Sequence, residues 1–230
     1  MTLHPRTNQT NRYPLFSEIF NDVPFSSVLD FGGNSGNLLH FSNGDISEQD
    51  YICIDPSVPA INSGANEFPQ ATFHHYDKYN YMYNHSGSTS AVLPTVPDID
   101  IIWAYSVFSH TDLHELYTTV KWMMSLNPKK IAVSILDMDT PVMLQYFYNK
   151  RVADYGECED IRVLIDSTYD IVYLVDNNQV IVNTPVQPKV DCAHFIAFYR
   201  LQFIIDYFAA RGITINISRP GDGYIPFLVI

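Results

Sequence analysis

The sequence has few cysteines, few cationic residues and no long apolar run, and each scarcity excludes a class of protein. Its three cysteines, Cys53, Cys158 and Cys192, are odd in number and show no paired spacing, which argues against a disulfide framework or a zinc site. There are 13 Lys and Arg against 25 Asp and Glu, so the net charge is −12. Because nucleic-acid binding depends on cations that neutralise phosphates, DNA, RNA and anionic membrane surfaces are poor partners.

No run approaches the ~20 consecutive apolar residues of a membrane-spanning helix. The N-terminus, MTLHPRTNQTNRYPLF, is polar and lacks the apolar core of a secretory signal. We therefore predict a soluble, cytoplasmic protein. Its 230 residues, 47% of them apolar, are enough for one well-cored domain spanning 1–230.

From Ser26 onward, short β-rich runs alternate with helical patterns, which is typical of a parallel sheet covered by helices on both faces. Five strands are predicted in this alternation: 28–31, 51–55, 71–77, 98–108 and 129–136. Two closing strands, ITINIS and YIPFLVI, are joined by the short connection RPGDG. They should pair antiparallel, because a parallel pair needs a long crossover.

Two helices have strong signals. The first follows the fourth strand, with Asp112 as N-cap, Glu115 three residues on and Asn127-Pro128 at its end. The second is predicted from about Ala193 to Arg211, because its aromatic and apolar residues recur at helical spacing, and Gly212 stands where a left-handed residue would end it.

Three segments fall outside the alternation. Residues 1–25 form an N-terminal cap with a short helix candidate, PLFSEIF, and 78–97 resemble a flexible loop. The insertion 137–191 contains a helix candidate, TPVMLQYFYNKR, and a hairpin candidate, DIVYLVDNNQVIVNT. We interpret this insertion as a lid over the substrate; a hairpin that is structural, or that joins two copies into a homodimer, is the alternative.

The stretch SSVLDFGGNSGNLLH places a glycine-rich turn between the first strand and a helix, where ligands bind in open α/β sheets. The dinucleotide fingerprint G-x-G-x-x-G fails here in both registers, and no Gly-Lys-Ser/Thr of a phosphate loop follows. The pattern that fits is D-x-G-x-x-x-G, formed by Asp30, Gly32 and Gly36. A second acid, Asp55, ends the second strand.

These residues, with the segment AYSVFSH after the fourth strand, resemble the class I S-adenosylmethionine-dependent methyltransferases. The resemblance implies an α/β fold with a doubly wound, mostly parallel seven-stranded sheet, a C-terminal antiparallel strand pair and helices on both faces. It also implies S-adenosylmethionine as the cofactor. Asn34 replaces the middle glycine of the family, and asparagine is one of the few residues that tolerates a positive φ.

The resemblance assigns a role to each matching position. Asp30 would anchor the turn and reach the amino group of the methionine moiety, and Asp55 would accept hydrogen bonds from both ribose hydroxyls. A helix N-cap is the other role open to Asp55. Asp77 is a candidate for the adenine amino group or a solvated loop residue. The remaining positions would leave room for the cofactor or line it: Gly32, Gly33, Asn34, Gly36, Pro56, Ala104, Tyr105 and Ser106.

Methyl transfer requires alignment, exclusion of water and, for a hydroxyl acceptor, removal of a proton. His110, just past the fourth strand, is the candidate base, with Tyr105 beside it; packing at the helix entry is the alternative for His110. Asp137 and Asp139 follow the fifth strand, but the fourth strand ends without an acid. We therefore predict no metal at the site.

The predicted activity is methylation of a small molecule or short peptide in small-molecule or natural-product biosynthesis, at a hydroxyl or carboxylate oxygen, with nitrogen as the second choice. The Asp/Asn-Pro-Pro-aromatic motif of enzymes that methylate amide and adenine nitrogens is missing after the fourth strand. Two alternatives stay open: a protein methyltransferase, and a nonenzymatic binding module that kept the fold.

Overall fold

A computed structural model describes residues 10–80, 83–140, 142–143, 145–146, 149, 169–175, 180–182 and 195–230. Half of the helix candidate in the insertion, the turn of the predicted hairpin, Cys158 and Cys192 lie outside the described residues.

The described helices follow the sequence patterns closely at the N-terminal end of the chain. They are α1 (Tyr13–Phe20), α2 (Asn37–Phe41), α3 (Val58–Glu67), α4 (Leu113–Ser125) and α5 (Leu201–Ala209). The short helix predicted in PLFSEIF is confirmed as α1, and the predicted start of α4 is confirmed by a 2.7 Å hydrogen bond from the Glu115 N–H to Asp112 Oδ1.

Seven strands form the main sheet, as predicted. They are β1 (Val28–Phe31), β2 (Tyr51–Asp55), β3 (Thr72–His75), β4 (Ile101–Ala104), β5 (Lys130–Ser134), β9 (Asn216–Ser218) and β10 (Phe227–Val229). Their order is β3-β2-β1-β4-β5-β10-β9. The strands β1 and β2, β1 and β4, and β2 and β3 pair parallel, whereas β10 and β9 pair antiparallel.

The chain divides into two compact units. The first comprises Met1–Tyr105 and Met123–Ala132, and the second comprises Ser106–Trp122 and Val133–Ile230. In the first unit, β1, β2 and β4 are buried along their whole length, which is why their sequences are continuous apolar runs. Helix α1 packs against β4, with the rings of Phe16 and Phe20 edge-on to Trp103.

In the second unit, β6 (Ile171–Val175), β7 (Val180–Val182) and β8 (Phe195–Tyr199) form a three-stranded sheet in the order β7-β6-β8. Antiparallel pairing of β6 with β7 confirms the predicted hairpin.

The single helix predicted from Ala193 to Arg211 is wrong. Residues 195–199 are β8, which pairs antiparallel with β6, and the helix begins only at Leu201. Arg200 interrupts the pattern with extended backbone, at φ −73° and ψ 131°, and its N–H donates to the Asp170 carbonyl. Aromatic and β-branched residues suit a strand as well as a helix, so pairing with β6 decides the outcome.

Part of the 78–97 segment, predicted to be a flexible loop, is held by hydrogen bonds. The buried Asn84 side chain donates through Nδ2 to Asp77 Oδ1 and to the Lys78 carbonyl, both at 3.1 Å. The sequence alone did not indicate this arrangement, because it depends on a hydrogen bond between two side chains that are seven residues apart.

Candidate active site

The glycine-rich turn after β1 adopts left-handed backbone at three positions: Gly32 at φ 77°, Asn34 at 56° and Gly36 at 80°. Asn34 thus adopts the positive φ that asparagine tolerates, a point that the sequence had left open. Its side chain stabilises the turn, since Oδ1 accepts the Ser35 N–H at 2.8 Å. Gly36 caps the N-terminus of α2, so the turn leads straight into that helix.

Gly33 does not need an unusual φ, but it has no room for a side chain. A Cβ at this position would lie 2.6 Å from Cγ and Oδ2 of Asp30 and 2.9 Å from Sγ of Cys53. Real Cβ atoms do not approach other atoms so closely. The glycine therefore lets the turn lie directly on the Asp30 carboxylate.

Asp30 occupies the middle of the sheet, with β1 flanked by β2 and β4, and is only 3% exposed. Its Oδ2 accepts a hydrogen bond from the Tyr51 hydroxyl at 2.6 Å. Burial raises the pKa of Asp30 from 3.8 to about 7, although the Tyr51 hydrogen bond opposes this rise; the charge of Asp55 adds to it. A carboxyl group with such a pKa titrates near neutral pH.

Asp55 ends β2, and its carboxylate links the glycine-rich turn after β1 to the residues just before α3. Its Oδ2 accepts the Asn34 N–H at 2.9 Å, and its Oδ1 accepts the Ser57 N–H at 2.8 Å. Burial raises the pKa of Asp55 to about 6, while these backbone hydrogen bonds lower it. The N-cap of α3 is Ser57, whose hydroxyl accepts the Ala60 N–H, so the N-cap role considered for Asp55 before Pro56 is wrong.

A cavity of about 250 Å³ opens beside the turn in the first unit. Asp30, Gly32 and Gly33 line it, together with residues that sequence reasoning missed: Thr10, Arg12, Asn37, Leu38, Phe41 and Trp103. Tyr105 completes the wall. Among the described lining residues, Asp30 and Arg12 are the charged ones, and they carry opposite charges.

The aromatic wall of the cavity is formed by residues at the end of β4. The rings of Trp103 and Tyr105 stack at 6.0 Å with an interplanar angle of 12°. The Arg12 guanidinium lies 4.7 Å from the centroid of the Tyr105 ring, within the range of a cation–π contact. Arg12 immediately precedes α1, so the packing of α1 on Trp103 brings this cation to the cavity.

Several predicted site residues lie elsewhere. Within the described part of the first unit, Asp55, Asp77 and Ala104 do not line this cavity. In the second unit, Ser106 has a left-handed φ of 60°, and its N–H donates to Ser134 Oγ at 2.7 Å. His110 ends a 3-10 turn, Phe108–His110, and is half-buried.

Asp137 and Asp139 are engaged within the second unit. Asp137 is buried, pairs with Arg219 and accepts the Thr140 N–H at 2.7 Å. Asp139 Oδ2 accepts the Leu201 N–H at the start of α5. Across the ranges that the structure describes, no group of three or more His, Cys, Asp or Glu side chains has the arrangement of a metal site.

The comparison with protein families matches residues 29–128 to a methyltransferase domain. The matched stretch contains β1, the glycine turn, Asp55 and the residues after β4. Residues 29–128 of the chain therefore carry a methyltransferase domain. This finding confirms the family that the motifs resembled, and with it the methyltransferase activity and the S-adenosylmethionine cofactor that the family implies.

Solved structures of low sequence identity share the fold of this methyltransferase. DesVI of Streptomyces venezuelae has a TM-score of 0.56 at 12% identity, over 96% of this chain and 92% of that one. An S-adenosylmethionine-dependent methyltransferase of Clostridium acetobutylicum has 0.54 at 11%, over 97% and 92%. The magnesium protoporphyrin IX methyltransferase ChlM of Synechocystis, solved with S-adenosylhomocysteine, has 0.51 at 12%, over 94% and 78%. No curated protein matches the sequence.

Among the described residues, no helix combines the length and the apolar character that a membrane crossing requires.

Proposed function

We propose that this methyltransferase transfers the methyl group of S-adenosylmethionine to a hydroxyl or carboxylate oxygen of a small molecule or short peptide. The observation that carries the proposal is the cavity at the family's glycine turn, where an acid and a cation face the same space. ChlM, named for a small-molecule substrate, supports the acceptor class. Bound S-adenosylmethionine supplies an activated methyl group on its sulfonium sulfur.

The cavity fits the amino-acid end of the cofactor. An amino acid at neutral pH carries an ammonium and a carboxylate, and Asp30 and Arg12 provide the complementary charges. A guanidinium recognises a carboxylate through paired N–H donors, so Arg12 suits the carboxylate end. Gly32 and Gly33 add no side chain to this part of the cavity, and the missing side chain at Gly33 lets the turn pack directly on Asp30.

Asp55 binds the ribose in this proposal. Each of its oxygens accepts one backbone N–H and keeps a further lone pair for a hydroxyl donor. The two backbone hydrogen bonds fix the carboxylate in place before a ligand arrives, which reduces the entropy lost on binding. Pro56 follows directly and stiffens the chain at this point.

In this proposal the adenine lies toward Asp77, which follows the edge strand β3. Asn84 occupies only Oδ1 of Asp77, and the carboxylate has further lone pairs for an amino donor. Ala104 and Ser106 flank Tyr105 in sequence, and we assign them to the part of the site nearest the methyl group.

The chain itself has three tasks in the transfer: to align the acceptor, to exclude water and to remove the acceptor's proton. His110 takes the proton, because an imidazole has a pKa near the working pH. Tyr105, held by Trp103 and Arg12, acts as a rigid wall that orients the acceptor. A hydroxyl acceptor must give its proton to the base, whereas a carboxylate acceptor is already deprotonated and needs only to be aligned.

The proposal is tested with purified protein, S-adenosylmethionine and a panel of phenols, carboxylic acids, amines and short peptides. We expect methyl transfer to an oxygen acceptor and thermal stabilisation by S-adenosylhomocysteine. Asp55→Ala should lose most affinity for S-adenosylhomocysteine while remaining folded, since charge-assisted hydrogen bonds contribute roughly 1.5–3 kcal/mol each. Calorimetric titration measures this affinity.

Asp50→Ala is the matched control, because Asp50 is an exposed acid five residues away on the same segment. It should bind S-adenosylhomocysteine like the wild type. Unchanged affinity in Asp55→Ala would refute the ribose assignment. Transfer to amines alone would replace oxygen by nitrogen as the acceptor, and a wild type that neither binds S-adenosylhomocysteine nor turns over would refute the proposed function.

A further inference from the structure

Tyr51 is a fully buried tyrosine that no motif assigns to the site. It begins β2, is 0% exposed, and is not among the residues that line the cavity. A buried hydroxyl is unfavourable unless it is hydrogen-bonded, and phenylalanine would fill the same space without that penalty. The partner of the Tyr51 hydroxyl therefore explains why a tyrosine stands here.

The parallel register of β1 and β2 delivers that partner. Val28 pairs with Tyr51 and Asp30 pairs with Cys53, so Tyr51 and Asp30 lie on the same face of the sheet, two positions apart along the strands. The phenol ring spans this offset, and its hydroxyl donates to Asp30 Oδ2 at 2.6 Å. Gly33 packs on the same oxygen, because a Cβ built at Gly33 would lie 2.6 Å from Asp30 Oδ2.

We propose that Tyr51 is a positioning residue for the cofactor: its hydroxyl holds Oδ2 of Asp30, so that the other oxygen is fixed in place for the ammonium group of the methionine moiety. This inference rests on the proposed function, because it assumes that the cavity receives the amino-acid end of S-adenosylmethionine. Tyr51 itself touches neither cofactor nor acceptor.

The ionisable groups around Asp30 support this role. Cys53 and Asp55 on β2 both interact with Asp30, and Asp55 disfavours its negative charge. Tyr51, on the neighbouring strand β2, lowers the pKa of Asp30 through its hydrogen bond. The cation that lines the same cavity is Arg12. Removal of the Tyr51 hydroxyl would therefore raise the Asp30 pKa and leave more of the carboxyl protonated at neutral pH.

The test compares Tyr51→Phe with the wild type by calorimetric titration of two ligands. S-adenosylhomocysteine carries the ammonium group, whereas 5′-methylthioadenosine lacks the whole amino-acid end. We expect Tyr51→Phe to bind S-adenosylhomocysteine ~10- to 100-fold more weakly at pH 7, the range for a hydrogen bond to a charged group. Affinity for 5′-methylthioadenosine should not change.

The ratio of the variant and wild-type dissociation constants for S-adenosylhomocysteine should fall as the pH is raised from about 6.5 to about 8.5, because Asp30 then ionises in both proteins. Titration of the ligand's own amine cancels in this ratio. A purely structural role would weaken both ligands alike and leave the ratio independent of pH.

Tyr199→Phe is the matched control, since it removes another fully buried hydroxyl, which donates to the Thr111 carbonyl in the second unit. It should bind both ligands like the wild type. Wild-type affinity of Tyr51→Phe for S-adenosylhomocysteine, or equal losses for both ligands, would overturn the Tyr51 proposal alone. A wild type that binds neither ligand would instead overturn the proposed function.

Discussion

Replacement of Asp30 by asparagine should make the protein more stable and abolish tight cofactor binding. The wild-type carboxyl is buried, and its pKa of about 7 in the folded protein lies well above the ordinary value of 3.8. Between these pH values the folded state holds a proton that the unfolded state releases. The free energy of unfolding must therefore fall as the pH rises through this window and stay low above it.

The magnitude follows from the pKa difference. The rise from 3.8 to about 7 is about three pH units, and at 1.36 kcal/mol per unit the ionised carboxylate destabilises the fold by roughly 4 kcal/mol above pH 7. Asparagine has no charge, and its oxygen can accept the Tyr51 hydroxyl. Its amide N–H groups have no counterpart in the carboxylate, and burying them unpaired costs about 1–3 kcal/mol. The net gain for Asp30→Asn at pH 8 is about 1–3 kcal/mol.

Urea unfolding of the wild type and Asp30→Asn at about pH 5 and pH 8 measures this effect. The stability advantage of the variant should grow by roughly 3 kcal/mol between the two pH values, since Asp30 titrates there and is present only in the wild type. Calorimetry should meanwhile show that S-adenosylhomocysteine binds the variant at least ~10-fold more weakly. A variant that is less stable than the wild type at pH 8, or that keeps wild-type affinity, would refute the reasoning about the buried charge.

Two further substitutions separate packing from chemistry. Gly33→Ala should lower the free energy of unfolding by about 1–3 kcal/mol and weaken S-adenosylhomocysteine binding, because the new methyl group collides with Asp30 and Cys53; urea unfolding and calorimetry measure both effects. His110→Ala should reduce kcat at saturating cofactor by ~10²- to 10⁴-fold while the affinity for S-adenosylhomocysteine persists, since a general base acts only on the acceptor's proton.

Each of these substitutions has a control and a contradicting result. Gly44→Ala strains a left-handed residue, at φ 95°, but has no atom within 4 Å of the new methyl group. It should therefore lose stability without losing cofactor affinity. Gly33→Ala with wild-type stability would contradict the close approach of the turn to Asp30, and normal turnover in His110→Ala would reduce that histidine to a packing role.

The strands at the centre of the first unit could be predicted from the sequence because burial on both faces makes their sequences continuously apolar. The runs VLDF and YICID match β1 and β2 residue for residue. The same reasoning was wrong at 193–211, where one apolar pattern is divided between β8 and α5. Pairing with β6, more than 20 residues earlier, decides which residues form the strand, and no local pattern contains that pairing.

The site was predictable only in part. Of the motif residues, Asp30 and Gly32 line the cavity and Gly36 is not among its lining residues, while the positive φ of Asn34 belongs to the turn between them. Arg12 has no motif around it. It reaches the cavity because α1 packs its phenylalanines on Trp103, which is a long-range contact between the N-terminus and β4.

The sequence by itself indicated the methyltransferase resemblance, the alternation of strands and helices, and the glycine-rich turn, because these depend mainly on neighbours within a few residues. Only the tertiary structure decided that Arg12 and Asp30 line the same cavity, that Tyr51 donates to the Asp30 carboxylate, and that burial raises the pKa of Asp30 to about 7. Strand register and exclusion of water set these properties, and both arise only when distant parts of the chain pack together.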